Sequence, residues 1–217
     1  VCGSTMSKKI ADFGGLGIIH RYNTIDRQAT MISEVSEGGT KIVGAAIGIT
    51  GDYLERAREL VASGASVLCL DVAHGDHLLM HVALHNLRDK YGHIVHLMAG
   101  NVATYTGAFA LAQLGAHSIR VGIGGGSICS TRIQTGHGIP TFESIMATRM
   151  VKQSGRFENV KVIADGGIKS SGDIVKALAC GADFVMVGSL LAGSDECPGE
   201  IIETREGKFK AYRGMAS

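Results

Sequence analysis

Ser118-Ile119-Arg120-Val121-Gly122-Ile123-Gly124-Gly125-Gly126-Ser127-Ile128-Cys129-Ser130-Thr131-Arg132 is the stretch on which the fold turns. Residues 118–121 form a short, largely apolar run, as a buried strand requires. The run breaks into four glycines within five residues, then presents a serine, a cysteine and a threonine. Glycines at that density open positive φ and let a backbone approach a ligand closely. Their free N–H groups, with the Ser127 hydroxyl, suit a phosphate. A thiol at Cys129, just beyond them, suits covalent attack on the molecule so anchored. The same letters also fit an ordinary tight turn with a small packed cysteine. The rest of the chain decides between the two.

The pattern of that stretch recurs. Apolar runs predict strands over 16–20, 42–49, 66–73, 94–99, 118–121, 160–164 and 183–187, and amphipathic spacing predicts helices over 4–13, 24–35, 52–62, 78–90, 104–114, 141–153 and 171–179. Thr24 reads as a helix N-cap. Near-continuous apolar strands alternating with amphipathic helices imply a parallel sheet covered on its faces. Seven units at a spacing of roughly 25 to 30 residues match a (β/α)8 barrel that lacks one unit. An open doubly wound sheet competes, but Asp71, Asn101, Cys129, Asp165 and Ser189 all fall at or just beyond strand C-terminal ends, which a barrel gathers at one mouth. Gly122-x-Gly124 resembles part of a dinucleotide fingerprint, but no helix is expected to open directly after it, which argues against a Rossmann fold. Residues 201–212, with Glu206-Gly207 at the turn, read as an appended β-hairpin. The expected organisation is one α/β barrel domain over 1–217, with its first strand preceding Val1.

Composition narrows the function. The 217 residues are 45% hydrophobic with a net charge of +1. No basic stripe points to nucleic acid, and no apolar run is long enough for a bilayer or shaped as a signal peptide. Five cysteines without CxxC spacing favour a reducing cytoplasm over a disulfide framework. Thirty-one glycines against two prolines suit many tight strand-to-helix turns.

Asp165-Gly166-Gly167 and Gly188-Ser189 follow the sixth and seventh strands, where barrels often bind phosphate. Each pair alone reads as a turn. With Ser127 they make three adjacent loops of phosphate-type chemistry, Asp165 being suited to sugar hydroxyls, and they favour a nucleotide-like substrate. Asp71 and Asn101 fit either ligand contacts or helix caps. His77, His81 and His85 share one helix face, but no carboxylate or cysteine completes a metal site there.

GGLGIIHR (Gly14 to Arg21), LDVAHG (Leu70 to Gly75), AGNVAT (Ala99 to Thr104), VGIGGGSICSTR (Val121 to Arg132), ADGGI (Ala164 to Ile168), VMVGSLLAG (Val185 to Gly193), PGE (Pro198 to Glu200) and YRGM (Tyr212 to Met215) together resemble the IMP dehydrogenase / GMP reductase family, in order and across the chain. The resemblance implies a (β/α)8 barrel, usually tetrameric, acting on a purine mononucleotide. It makes Cys129 the nucleophile toward purine C2, with Thr131 helping to position or activate the attacking water. It assigns Ser127, Gly167, Gly188, Ser189 and Tyr212 to the substrate phosphate, Asp165 to the ribose, Gly166 to the substrate site, and Gly214 and Met215 to the base. Asp71, Asn101, Arg120 and Gly122 fall on the dinucleotide side. Carbonyls of Gly124, Gly126 and Cys129 match a potassium site.

Two branches of the family remain open. In one, IMP is oxidised with NAD; in the other, GMP is reduced with NADPH. A non-catalytic nucleotide-binding protein is a third reading. Val72-Ala73 resembles the reductases, while STRIQTG and YRGM resemble bacterial dehydrogenases, the branch favoured here. The mobile flap of the dehydrogenases is expected after Ser217, and no regulatory CBS pair interrupts the barrel.

Overall fold

A computed structural model describes residues 1–39, 42–212 and 214. Seven parallel strands, β1 (Ile18–Ile19), β2 (Gly44–Ile47), β3 (Val67–Asp71), β4 (His96–Val102), β5 (Ser118–Val121), β6 (Lys161–Asp165) and β7 (Phe184–Met186), pair in chain order. Helices α1 (Ser4–Asp12), α2 (Ile25–Glu37), α3 (Tyr53–Ala62), α4 (Leu78–Tyr91) and α5 (Tyr105–Gln113) precede or join them. A short α6 (Thr131–Thr135) and α7 (Thr141–Thr148) lie between β5 and β6, and α8 (Ser171–Ala179) between β6 and β7. Strand order equal to chain order, with a helix in the crossovers, is the winding of a (β/α)8 barrel.

Two apolar clusters show that the sheet curls. The larger lies between sheet and helices and contains the fully buried Leu68, Leu70, Leu97 and Ile119 of the strands with Leu60, Leu84, Leu87 and Leu111 of the helices. Truncating any one of these leucines to alanine costs about 2–5 kcal/mol. The smaller cluster lies on the opposite face. It joins Val67 and Cys69 of β3, Met98 of β4 and Ile163 of β6, with Leu16, Ile18 of β1 and Met186 of β7 packed against them. Side chains from both edges of the sheet meet in one cluster only if the sheet wraps around it. The molecule is therefore a partial barrel whose free edges are β1 and β7. These edges explain the short strands there: only two residues of the run over 16–20 are in β1, and Phe184 of β7 is exposed.

Local signals set the helix starts. Thr24, Thr104 and Ser170 each accept a backbone N–H from the first turn of the helix they precede, and His77 does the same with its ring. All four helices begin where a strand's C-terminal end gives way to its loop. The expected helix over 141–153 is α only to Thr148. The Thr148 hydroxyl then donates back to the Ser144 and Ile145 carbonyls, and the chain continues as a 3-10 helix to Ser154. The hairpin forms as expected from β8 (Ile201–Thr204) and β9 (Gly207–Lys210), as a separate two-stranded sheet.

Candidate active site

The loops after β5, β6 and β7 converge at the mouth of the partial barrel. Gly122, next after β5, has φ 137° and an added Cβ there would collide with the carbonyl oxygen of Asp165, so only glycine fits. Gly126 lies between its neighbours: a Cβ on Gly166 would come within 3.0 Å of the Gly126 nitrogen, and a Cβ on Gly126 within 3.3 Å of the Cys129 Cβ. The cysteine loop and the Asp165-Gly166-Gly167 loop thus pack backbone against backbone. An antiparallel bridge between Ile123 and Ile139 closes the base of the cysteine loop. The Thr141 hydroxyl donates to the Gly166 carbonyl at 3.1 Å and stands against Gly125, joining both loops.

Cys129 sits half-buried just before α6, its N–H on the Gly126 carbonyl at 3.1 Å. Its thiol donates to the Thr131 hydroxyl at 3.3 Å. Thr131 begins α6, so the helix start fixes the spacing between the two side chains. Tyr212 reaches the same loops from beyond the hairpin. Its hydroxyl is hydrogen-bonded to Ser127 and lies 3.2 Å from where a Cβ on Gly188 would be. Burial, with Asp165 and Cys197 nearby, raises the Tyr212 pKa against the lowering effect of Ser127. Gly188 and Ser189 open the short 3-10 turn after β7. Gly214 is half-buried, and Met215 lies outside the described residues.

Below these loops is a buried polar network on β3 to β6. Arg120 donates to Asp71 at 2.7 Å, to Asp165 at 2.9 Å and to the Cys69 sulfur at 3.2 Å. Desolvation pulls against the guanidinium's charge, yet Cys69, Asp165 and Asp71 together hold its pKa well above the usual value. Burial pushes the Cys69 thiol up to about 11, so it is neutral and inert at neutral pH. Asn101 donates from one amide nitrogen to the Gly122 carbonyl and to Asp165, both at 2.9 Å. Its carbonyl oxygen and the Arg120 Nε are buried without a partner among the described residues. Buried polar atoms left so are costly and point to a ligand.

The sequence-derived residues Cys129, Thr131, Ser127, Asp165, Gly166, Gly167, Gly188 and Tyr212 are thus brought to one set of loops, with Asp71, Asn101, Arg120 and Gly122 beneath. Thr141 was missed, because a threonine after Pro140 reads simply as a helix start. The backbone carbonyls of Gly124, Gly126 and Cys129 are oxygen donors of the kind a monovalent cation takes. No group of three or more His, Cys, Asp or Glu residues among the described ones suits a metal ion. The histidine row on α4 is explained singly: His77 caps the helix, His81 pairs with Asp76 at 3.2 Å and His85 with Asp89 at 3.5 Å. No helix among the described residues is long and apolar enough to cross a membrane.

Comparison with known proteins finds relatives across the chain. Residues 1–217 match the family model described as "IMP dehydrogenase / GMP reductase domain". The chain is 44% identical over 179 residues to inosine-5'-monophosphate dehydrogenase of Nitrosopumilus maritimus, covering 82% of this chain and 37% of that protein. It is 48% identical over 173 residues to the Rhizobium tropici enzyme, covering 80% and 34%. With the Haemophilus influenzae enzyme it shares 49% over 183 residues, covering 83% and 36%. The chain spans about a third of the length of these relatives.

Proposed function

The chain belongs to the IMP dehydrogenase / GMP reductase family, and on that premise we propose that it oxidises IMP to XMP with NAD through a covalent bond to Cys129. The observation that carries this reading is the Cys129–Thr131 contact at 3.3 Å, on a loop packed against Gly166 and joined to Tyr212 through Ser127. Ser127, Gly167, Gly188, Ser189 and Tyr212 hold the phosphate, and Asp165, held in place by Arg120 and Asn101 at 2.9 Å each, accepts from the ribose hydroxyls.

Seated so, the purine presents C2 to the Cys129 sulfur. The thiol gives up its proton to solvent as the sulfur adds to C2, the C2 hydride departs to its acceptor, and a thioimidate remains on Cys129. Thr131 helps to hold the water that hydrolyses it, releasing XMP and the thiol. NAD, when bound, supplies the hydride acceptor. The unpaired Asn101 oxygen and Arg120 Nε suit its polar groups, with Asp71 and Gly122 beside them. The carbonyls of Gly124, Gly126 and Cys129 would hold potassium and so stiffen the cysteine loop. The family's habit supports a homotetramer, and five free thiols support a cytoplasmic setting.

The test is to compare NAD reduction with IMP against NADPH oxidation with GMP. Turnover with IMP is expected. Turnover only with GMP would transfer the protein to the reductase branch, and tight IMP binding without turnover in either assay would make it a nucleotide-binding protein.

A further inference from the structure

We propose that Lys210 is a positioning residue that latches the hairpin and thereby seats the Tyr212 hydroxyl in the phosphate cradle. The proposal rests on the reading of the Ser127, Gly188 and Tyr212 cluster as that cradle. Lys210 ends β9, and its ammonium donates to three backbone carbonyls, those of Ser194 at 2.9 Å, Asp195 at 3.2 Å and Cys197 at 2.7 Å. An ammonium has three donors and no acceptor, so this tripod satisfies it completely. The carbonyls belong to one turn, in which the Cys197 N–H also bonds the Ser194 carbonyl.

The latch matters because the hairpin has little else to hold it. Seven of its eight strand residues are exposed, Lys210 being the exception, and Ile201, Ile202 and Phe209 are each about half exposed. An isolated two-stranded hairpin is at best marginally stable in water. Yet only two residues past Lys210, the Tyr212 hydroxyl must meet Ser127 and stand against Gly188. A cation bound by three carbonyls of the turn that follows the β7 loop fixes the strand end from which Tyr212 is presented. The side chain touches no ligand position, so it acts only through the tyrosine.

Binding of IMP and of inosine, which lacks the phosphate, tests this in the full protein by calorimetry. Lys210→Met keeps the stem and removes the donors. It is expected to weaken IMP about ten- to a hundredfold, the range for one lost charge-assisted hydrogen bond, and to leave inosine unchanged. Tyr212→Phe should do the same, and the double variant should be no worse than either single one. Should Lys210→Met fail to fold, Lys210→Ala measured with and without ethylammonium replaces it, and recovery of IMP affinity with the added cation is expected. Unchanged IMP affinity in Lys210→Met beside a weakened Tyr212→Phe would overturn the latch, as would equal losses for IMP and inosine, additive effects in the double variant, or no rescue of a folded Lys210→Ala. Equal wild-type affinity for IMP and inosine would instead remove the cradle reading, and the latch's role with it.

Discussion

The two ends of the barrel strands are built from opposite chemistry. At the C-terminal ends, Arg120 stands between Asp71 and Asp165, Asn101 keeps a buried carbonyl unpaired, and the loops are rich in glycine. At the N-terminal ends, the polar groups are paired off, Asp183 with Lys152 at 2.7 Å among them. His96 bonds the Ser118 hydroxyl at 2.8 Å, and both ring nitrogens of His117 face N–H donors, Leu97 at one and Arg88 at the other. A fold seeking only stability has no use for a desolvated ion triad, since apolar residues of the same volume do as well or better. The mouth therefore carries chemistry, and the opposite end carries the fold.

The difference can be broken from the mouth side first. Cys129→Ser should lower turnover by about three orders of magnitude or more, the scale on which loss of a nucleophile acts, while IMP affinity and the denaturant midpoint stay close to wild type. Steady-state rates with calorimetry check both halves. Arg120→Met should destabilise by about 2–3 kcal/mol, because Asp71 and Asp165, each about a fifth exposed, lose their buried cation. Urea unfolding measures it, and a loss below about 1 kcal/mol would mean the triad is not desolvated as described. Thr104→Ala, at the mouth-end start of α5, should cost about 1 kcal/mol through the lost cap to the Gly107 N–H, with no change in nucleotide affinity.

The smallest effect belongs to the opposite end and appears only with pH. Burial, with repulsion from His117, lowers the His96 pKa below 6.5; burial, with Arg88 alongside, lowers that of His117. A folded-state pKa below the unfolded value means that the unfolded chain takes up protons first on acidification. Stability is then full above about pH 6.5 and declines below it, through the lowered folded values. Urea midpoints measured from pH 8 to pH 5 should fall in the wild type and fall less in His117→Asn. Equal slopes would clear these histidines of the effect.

Most of the strands and helices were legible because their signals are local. A run such as Val67 to Leu70 is apolar throughout, and Thr24 or Ser170 caps a helix within three residues of itself. The placement of Asp71, Asn101 and Asp165 at one mouth was legible for the same reason, since each ends or nearly ends a strand. Their mutual bonding was not. Arg120 reaches residues 49 and 45 positions away, and nothing in Ser118 to Val121 announces which carboxylates a curled sheet will set beside it. The short helix α6 escaped notice because five residues carry no apolar period, and the switch at Thr148 depends on a hydroxyl folding back on its own turn. The Lys210 tripod was hidden for a simpler reason: a lysine at a strand end reads as a solvated charge.

The covalent bond at residue 129 is the central claim, and trapping it is the most direct test. The protein is mixed with IMP and NAD, quenched in acid during turnover, digested and mapped by mass spectrometry. A purine-ribotide adduct on the peptide that carries Cys129, absent without NAD and absent in Cys129→Ser, is the predicted result. Steady turnover with Cys129 unmodified at every quench time, or an adduct on Cys69 or Cys197 instead, would contradict it.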